Sequence, residues 1–340
     1  MSKKYFYNLL YALRMFKLFE LFDKKNKVAI LAYHRVAPTS YKETLLREMI
    51  VFLEDFEEQM IYIREHYKVV SLDELSGMLD GEFWDNKYAV ITFDDAYLDN
   101  YTYALPILRK YGIPATIFVP TAFIKTEKRF LWDELSFFLN ETKEEVLEFE
   151  YGGKEYCFDL RNNKKGVYAA MVNMMKDKTE KELTELQSVI KNRLKITGDK
   201  SEPLTMSWDQ MREMKNYDID FGAHTHSHCV VSKKNADEQF QEMIFSKKIL
   251  DKELDQETTS FAYPFGGLGD IGKNASNMVA KAGYNCAVTM EQGLVYDGDN
   301  KYMLKRIGVG GSDDFKKFVL KISGLIPFIS NIKKGLKWKR

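Results

Sequence analysis

The pattern that most constrains the fold is a repeated alternation between short strand-like runs and longer helical stretches. Each run is rich in β-branched and aromatic residues, as strands of βα units are. The seven runs are 27–36, 88–93, 115–119, 219–223, 260–263, 284–289 and 303–309. The alternation predicts an α/β fold, either a parallel barrel or a doubly wound sheet, with function where the strands end and the loops begin.

The composition indicates a folded chain without a global charge. With 340 residues, 45% of them hydrophobic, the chain is long enough to bury a sizeable core. Fifty basic and fifty acidic residues leave no net charge to attract a phosphate backbone, so nucleic acid is not an expected partner. Cys157, Cys229 and Cys286 are odd in number and widely spaced, which predicts neither a disulfide framework nor a thiolate zinc site and fits a reducing compartment.

One interval, 124–203, interrupts the alternation and is predicted to be an insertion after the third strand. It is charged and mostly helical, but 148–159 reads as two alternating runs joined by Gly152 and Gly153, a strong hairpin signal. The insertion could form a lid or one wall of a substrate groove, or it could be a surface excursion without a catalytic role.

Both ends of the chain are basic and amphipathic. Residues 1–27 are predicted to form a helix on which Phe6, Leu9, Leu10, Leu13 and Phe16 recur at helical spacing. The tail, 315–340, combines eight basic and no acidic residues with apolar side chains that include Phe318, Leu320, Ile322 and Trp338. Two interpretations stay open: contact with an anionic membrane surface, or packing on the domain between them, 28–314.

No segment is predicted to cross a membrane. The longest uncharged run near the C-terminus, 322–332, contains Pro327 and is shorter than the ~20 residues that a spanning helix needs. The apolar stretch after Lys3 and Lys4 has no small-residue cleavage site, so it is interpreted as uncleaved. The expected location is cytoplasmic, peripheral on the inner face of the membrane.

The segment AVITFDDAY (89–97) leads from an apolar strand directly into two adjacent carboxylates, Asp94 and Asp95. Neighbouring aspartates at the end of a buried strand repel each other and resist desolvation, so a cation or strong donors should lie close by. The structural alternative is a pair of helix N-caps, because Asp99 and a helical pattern follow.

The segment DIDFGAHTHSH (218–228) holds three of the five histidines of the chain. His224 and His228 can converge on one metal across a strand-to-loop bend, and with one carboxylate and water they would form an open, catalytic site for Zn²⁺ or a similar divalent ion. His226 is expected to point the other way, and His66 to lie at the surface.

A third segment, FAYPFG (261–266), combines the rigidity of Pro264 with a glycine that permits a turn. Such a loop can present backbone N–H groups to a ligand. By itself, it is also compatible with an ordinary turn that ends a strand.

In this order and at these separations, the three segments resemble the polysaccharide deacetylase family with its NodB-homology domain. The match extends over about 27–310, and it implies a distorted (β/α)7 barrel. The resemblance implies that Asp94 is the general base and that Asp95, His224 and His228 bind a divalent metal, Zn²⁺ first, with Co²⁺, Ni²⁺ or Mn²⁺ as alternatives. The N–H of Phe265 would stabilise the oxyanion, and Tyr97, Tyr263, Pro264 and Phe265 would contact the substrate.

The sequence departs from the common family pattern in two places. No histidine follows His228, although many members have a late one as the proton donor. His34, in ILAYHRV, resembles the early histidine of members that act on exopolysaccharide poly-N-acetylglucosamine, and it is the candidate acid; the alternative is a buried structural histidine. Ala262 stands where many relatives have an arginine that orients the base, and Arg306 is the hypothetical replacement.

The predicted function is removal of N-acetyl groups from amino sugars of a cell-surface polysaccharide or lipid-linked glycan. Two alternatives remain: a deformylase or other amide hydrolase acting on a lipid-linked amino sugar, and a catalytically silent sugar-binding barrel.

Overall fold

A computed structural model describes residues 3–22, 27–41, 45–79, 81, 87–126, 129–176, 178–198 and 204–337. The chain forms two compact units. The first comprises Met1–Tyr41, Glu48–Lys125 and Thr205–Arg340, and the second comprises Lys42–Arg47 and Thr126–Leu204. The second unit corresponds to the predicted insertion 124–203, with the addition of the short segment 42–47. Trp338 lies outside the described residues.

Each of the seven predicted runs contains a barrel strand, with shifts at the ends, whereas three short strands lie outside every predicted run. The strands are β1 (Lys27–Tyr33), β2 (Arg35–Ala37), β3 (Ile50–Phe52), β4 (Lys68–Val69), β5 (Tyr88–Phe93), β6 (Ala115–Val119), β7 (Val146–Tyr151), β8 (Lys154–Asp159), β9 (Ile219–Ala223), β10 (Ser260–Ala262), β11 (Cys286–Gln292), β12 (Val295–Tyr296) and β13 (Leu304–Gly308). The predicted first run, 27–36, is two strands because the chain leaves the sheet at His34.

Seven parallel strands close into a barrel in the order β1-β5-β6-β9-β10-β11-β13. Closure occurs because β1 pairs with β5 on one side and with β13 on the other. The (β/α)7 prediction is therefore confirmed. The barrel is distorted: β12 pairs antiparallel with the start of β1, and the register between β11 and β13 shifts.

Helices surround the barrel or belong to the second unit. They are α1 (Lys3–Ala12), α2 (Met15–Phe22), α3 (Leu53–His66), α4 (Leu72–Met78), α5 (Leu105–Tyr111), α6 (Leu131–Glu141), α7 (Lys164–Met175), α8 (Glu180–Arg193), α9 (Trp208–Met214), α10 (Ala236–Leu254), α11 (Leu268–Ile271), α12 (Ala275–Lys281), α13 (Phe315–Ile322) and α14 (Leu325–Lys337). The capping boxes at Ser71 and Ser207 start α4 and α9, as their sequences indicate.

Alternation along the strands divides the barrel core into two layers. Ala29, Leu31 and Tyr33 of β1 pack in the large cluster that also contains apolar side chains of the outer helices. Val28 and Ile30 belong to a second cluster, with Val90, Phe118, Ala262, Val288 and Leu304, that faces the barrel interior. Because side chains alternate along a strand, Asp94 continues the inner row of Val90 and Thr92.

The second unit has its own core. Its hairpin consists of β7 and β8, joined by Gly152 and Gly153, which both have positive φ as the turn requires. Leu139, Leu147, Met171 and Ile190 are among the buried side chains of this unit.

The terminal segments differ from their predicted forms. Residues 3–22 form two helices instead of one, because Arg14 adopts a left-handed backbone conformation (φ 51°) and reverses the chain. Phe318, Leu320 and Ile322 are buried in the main core, so they are unavailable to a membrane. Among the described residues, no helix has the length and apolar character required to span a membrane.

Candidate active site and metal centre

The site begins at the carboxyl end of β5, where the two aspartates leave the strand. Both side chains are buried, and the N–H of Asp94 donates to the carbonyl oxygen of Tyr33. Asp95 has φ 72° and Ala96 φ 51°, a conformation that is costly for residues with a Cβ. The reversal separates the directions of the two carboxylates, so that Asp94 and Asp95 contact different partners.

Asp95, His224 and His228 form a cluster with the composition of an open metal site. The Oδ1 of Asp95 lies 3.7 Å from Nε2 of His224 and 3.3 Å from Nε2 of His228. One ligand atom of each residue lies within 4.8 Å of those of the other two. Within the described part of the chain, this buried Oδ1 makes no hydrogen bond. A divalent cation would satisfy it, so the donor set fits a metal.

His224 is oriented from behind the cluster. Its Nδ1 lies 2.7 Å from the carbonyl oxygen of Ala262, which can only accept, so Nδ1 carries the proton and Nε2 keeps its lone pair. Burial lowers the pKa of His224 from 6.5 to about 4, which leaves the imidazole neutral near pH 7. A neutral imidazole with a free Nε2 lone pair is the form that binds a metal.

The loop that carries His228 is held by a glutamate from α10. The carboxylate of Glu242 accepts hydrogen bonds from the N–H groups of His226 and Ser227, both at 2.9 Å, and from Oγ of Ser227 at 2.7 Å. These bonds hold the segment in place although His228 has a left-handed backbone conformation (φ 54°). Glu242 therefore positions a candidate ligand without belonging to the cluster.

Asp94 pairs with Arg306, which projects into the barrel from β13. The guanidinium is fully buried and donates from NH1 to Oδ1 and from NH2 to Oδ2, each at 2.7 Å. Arg306 also donates to the carbonyl oxygen of Thr289 and to Oγ1 of Thr92. The bidentate geometry fixes the plane of the carboxylate, as the hypothesis of a replacement arginine requires.

Electrostatics keep both aspartates ionised. Burial would raise the pKa of Asp94, but the charge and hydrogen bonds of Arg306, with His224 and His34, outweigh it and hold the pKa well below its ordinary range. The pKa of Asp95 is also lowered, because His228 and the other two histidines outweigh burial. The site therefore presents two anionic carboxylates beside the neutral imidazole of His224.

His34 lies at the edge of the same site. Its Nε2 is 4.0 Å from Oδ2 of Asp94, and its side chain is 22% exposed. Two contacts hold the backbone that follows the side chain. Nδ2 of Asn100 donates to the carbonyl oxygen of His34, and the next residue, Arg35, forms a buried ion pair with Asp99 at 2.7 Å. The partial exposure makes His34 accessible to a ligand.

The loop after β10 reaches the metal-ligand cluster. Phe265 has φ 60°, and its ring lies edge-on to the ring of His228 with 5.2 Å between centroids. Gly266 has φ 65°, and a Cβ there would come within 2.6 Å of the backbone nitrogen of Met290, so only glycine fits. The turn thus sets Phe265 beside His228.

Two predicted substrate contacts are not supported. The side chains of Tyr97 and Tyr263 have no exposed surface. Tyr263 donates its hydroxyl to the carbonyl oxygen of Tyr302, and the ring of Tyr97 lies under the guanidinium of Arg35. Because both rings are buried against other side chains, neither has a face that a sugar could contact. Their expected role in substrate binding is therefore corrected to a structural one.

The remaining histidines lie where the sequence analysis expects them. The ring of His226 turns away from the cluster toward Oγ1 of Thr121 (2.8 Å) and Phe245. His66 is exposed and stacks on Tyr62. The sequence analysis missed Glu242, Asp99 and Asn100. The sequence offers only one indication of the role of Glu242, which is an acidic residue within α10. Asp99 and Asn100 could have been proposed because they come shortly after the two aspartates of the motif.

A family model and curated relatives match this chain. The polysaccharide deacetylase model matches residues 84–287. A putative polysaccharide deacetylase, YxkH, of Bacillus subtilis (strain 168) is 26% identical over 289 residues, which cover 84% of this chain and 73% of that protein. A poly-beta-1,6-N-acetyl-D-glucosamine N-deacetylase of Staphylococcus aureus (strain MRSA252) is 30% identical over 179 residues, 48% of this chain and 61% of that protein.

Solved structures share the fold. The deacetylase PplD of Streptococcus pyogenes, in complex with acetate, superposes with a TM-score of 0.60 at 23% identity and covers 88% of this chain and 99% of that chain. The structure of IcaB from Ammonifex degensii gives a TM-score of 0.57 at 18% identity, covering 88% and 98%. At these identities, the superpositions establish the barrel architecture.

Proposed function

Because this chain belongs to the polysaccharide deacetylase family, whose members hydrolyse N-acetyl amide bonds of carbohydrates, we propose that it deacetylates amino sugars of a cell-surface polysaccharide or a lipid-linked glycan. The carrying observation is the cluster of Asp95, His224 and His228 beside an arginine-paired Asp94. The S. aureus relative supports the poly-N-acetylglucosamine class of substrate by its name. The matched segment spans 61% of that relative.

Asp95, His224 and His228 would hold a divalent metal ion, with Zn²⁺ as the best fit to two imidazoles and one carboxylate and Co²⁺, Ni²⁺ or Mn²⁺ as alternatives. When bound, such an ion lowers the pKa of water and polarises the amide carbonyl. All further steps of the proposed mechanism rest on side chains and backbone groups of the chain itself.

Asp94 is the proposed base. Arg306 fixes the plane of the Asp94 carboxylate and lowers its pKa, so the carboxylate is anionic near neutral pH and ready to accept the proton of the attacking water. The N–H of Phe265, on the strained turn beside His228, is the proposed donor to the oxyanion of the tetrahedral species.

His34 is the proposed acid. An amine leaves an amide only when its nitrogen receives a proton, and His34 is a partly exposed imidazole at the edge of the site. Its Nε2 lies 4.0 Å from Oδ2 of Asp94. The group that takes a proton from water and the group that gives a proton to the amine nitrogen are therefore neighbours in one site.

A location on the inner, anionic face of a membrane is part of the proposal. Lys3 and Lys4 lie on α1, Lys17 lies on α2 and Arg14 lies in the turn between them. The same segment exposes apolar side chains. Basic residues favour a negatively charged leaflet.

Metal content and acetate release test the proposed activity together. The wild-type chain should copurify with about one divalent ion and release acetate from N-acetylated glucosamine oligomers. His224→Ala should lose the metal, whereas Asp94→Asn should keep the metal and lose activity by about 10²- to 10⁴-fold. Lys273→Ala, an exposed change, serves as the control.

The acceptor panel includes acetylated and formylated amino sugars, free and lipid-linked. Release of formate instead of acetate would replace deacetylation with deformylation. A metal-loaded protein that releases neither acid would refute the hydrolase assignment and favour a binding role.

A further inference from the structure

A cavity unrelated to the metal-ligand cluster lies between the turn that joins α1 to α2, helix α3 and helix α13. Its volume is about 760 Å³. Aromatic side chains form much of its wall: Tyr11, Phe16, Tyr62 and Tyr67. Tyr11 stacks on Phe16, with 5.6 Å between centroids, and Phe16 is buried in the main core. The cavity is therefore a built part of the fold.

The cavity carries an excess of positive charge. Arg14, Lys17 and Lys87 line it, and Glu20 is the only acidic residue among its described lining residues. Glu20 is already paired with Lys87 at 2.6 Å. Within the described residues, Arg14 and Lys17 make no ion pair. Two cations thus remain available beside an aromatic wall.

Backbone strain fixes one of these cations. Arg14 has φ 51°, and its carbonyl oxygen accepts the N–H of Lys17. A left-handed conformation is unfavourable for an arginine, and glycine is the usual residue at such a reversal. Arginine at this position keeps a charge at the mouth of the cavity, where glycine would leave none.

Exposed apolar side chains surround the same region. On α1, α2 and their turn, the exposed large apolar residues are Tyr5, Leu9, Leu13, Leu18, Leu21 and Phe22, six of the twelve in the described chain. Exposed apolar side chains beside cations are typical of helices that lie in a membrane interface. A soluble anion would need the cations but not this apolar surface.

We propose that this cavity receives the anionic headgroup of a membrane phospholipid, while the exposed apolar side chains of α1 and α2 enter the interface. Arg14 and Lys17 bind the phosphate, and the tyrosines line the path of the glycerol and upper acyl region. A second copy of this chain is a poor occupant, because residues 3–22 carry four basic side chains and one acidic, and two such surfaces repel each other.

Vesicle co-sedimentation of the full chain tests the site. Vesicles are phosphatidylcholine alone or with about 30% phosphatidylglycerol, since anionic lipid attracts basic segments. The double variant R14A/K17A should bind the anionic vesicles about 30-fold less tightly, the equivalent of about 1 kcal/mol for each cation. The control K165A/K273A removes two exposed charges elsewhere and should bind like wild type. L21S/F22S should also bind less tightly.

Other results would overturn the assignment. If R14A/K17A and the control lose the same amount of vesicle affinity, the loss reflects net charge alone. If the wild type binds neutral and anionic vesicles equally well, the cavity does not recognise an anionic headgroup. If inorganic phosphate at constant ionic strength displaces the protein from vesicles, the cavity is a site for soluble anions. A melting temperature within about 4 °C of wild type establishes that a variant is folded.

Discussion

At the scale of single residues, the contact between Arg306 and Asp94 decides how the site is charged. An aspartate buried without a partner would have a raised pKa and would spend part of its time protonated. Two hydrogen bonds of 2.7 Å from one guanidinium reverse this outcome. The ionised state of Asp94, which a base needs, therefore depends on one distant side chain.

We expect Arg306→Met to move the acidic limb of the pH–activity profile upward. In the wild type, the pKa of Asp94 lies below its ordinary value, so Asp94 stays ionised as pH falls through the mildly acidic range. Without Arg306, burial dominates and raises this pKa, so that Asp94 gains its proton at a higher pH. The limb should shift by about 1–3 pH units. Activity should recover partly at alkaline pH.

Two comparisons make the Arg306 result specific. Arg306→Lys keeps the charge but loses the bidentate geometry, so its limb should shift less than that of Arg306→Met. Lys305→Met, at the neighbouring residue on β13, removes a partly exposed cation that pairs with Asp299 and should leave the limb in place. An unchanged limb in Arg306→Met, with folding intact, would show that Arg306 does not control Asp94.

His34 should matter most when the leaving group is poor. His34→Asn is expected to reduce amide hydrolysis by about 10²- to 10⁴-fold, the usual contribution of a general acid. Hydrolysis of an acetyl ester with a phenolate leaving group needs no such proton and should fall much less. Steady-state rates on both substrates give the ratio, with His66→Asn as the exposed control. Equal losses on both substrates would contradict the role of acid.

At the scale of elements, loops with strained backbones carry the site, and helices hold these loops in place. Asp95, His228 and Phe265 all have positive φ, and each follows a barrel strand. Such conformations persist only where neighbouring groups determine them. Glu242 on α10 does this for the His228 loop, because it accepts hydrogen bonds from the N–H groups of His226 and Ser227.

Glu242→Gln should weaken metal binding without removing a ligand. The amide loses the charge that accepts three hydrogen bonds, and outer partners of this kind typically contribute about 10- to 100-fold in metal affinity. Competition with a chromophoric chelator measures the affinity. Asp237→Asn on the same helix, an exposed carboxylate, is the matched control. Wild-type affinity in Glu242→Gln would mean that the loop keeps its shape by itself.

At the scale of the whole molecule, the alternating pattern was sufficient to predict the seven barrel strands, the hairpin at Gly152 and the insertion. The conformation of Arg14 and the burial of Phe318 were not predictable, because amphipathic spacing does not distinguish a helix on a core from one on a membrane. The three metal-site candidates lie together as their motifs indicate. The contact of Arg306 with Asp94 spans 212 positions and was accessible only through the resemblance.

The two compact units should respond separately to core damage. Leu139 is fully buried in the core of the second unit, so Leu139→Ala should destabilise that unit by about 2–5 kcal/mol. Faster amide hydrogen exchange should be confined to 126–204, and metal affinity should not change. Val146→Ala, in the same unit but exposed, is the control. A parallel loss of metal affinity in Leu139→Ala would indicate that the units fold as one.

Closure of the barrel through β1 and β13 has a consequence for synthesis of the chain on the ribosome. The aspartates leave the ribosome early, but the guanidinium that compensates Asp94 is translated more than 200 residues later. Until then, closing the barrel would bury a carboxylate without its partner, at a cost of several kcal/mol. The nascent chain should therefore keep this end of the barrel open, and competence for metal binding and catalysis should appear only when the seventh barrel strand has emerged.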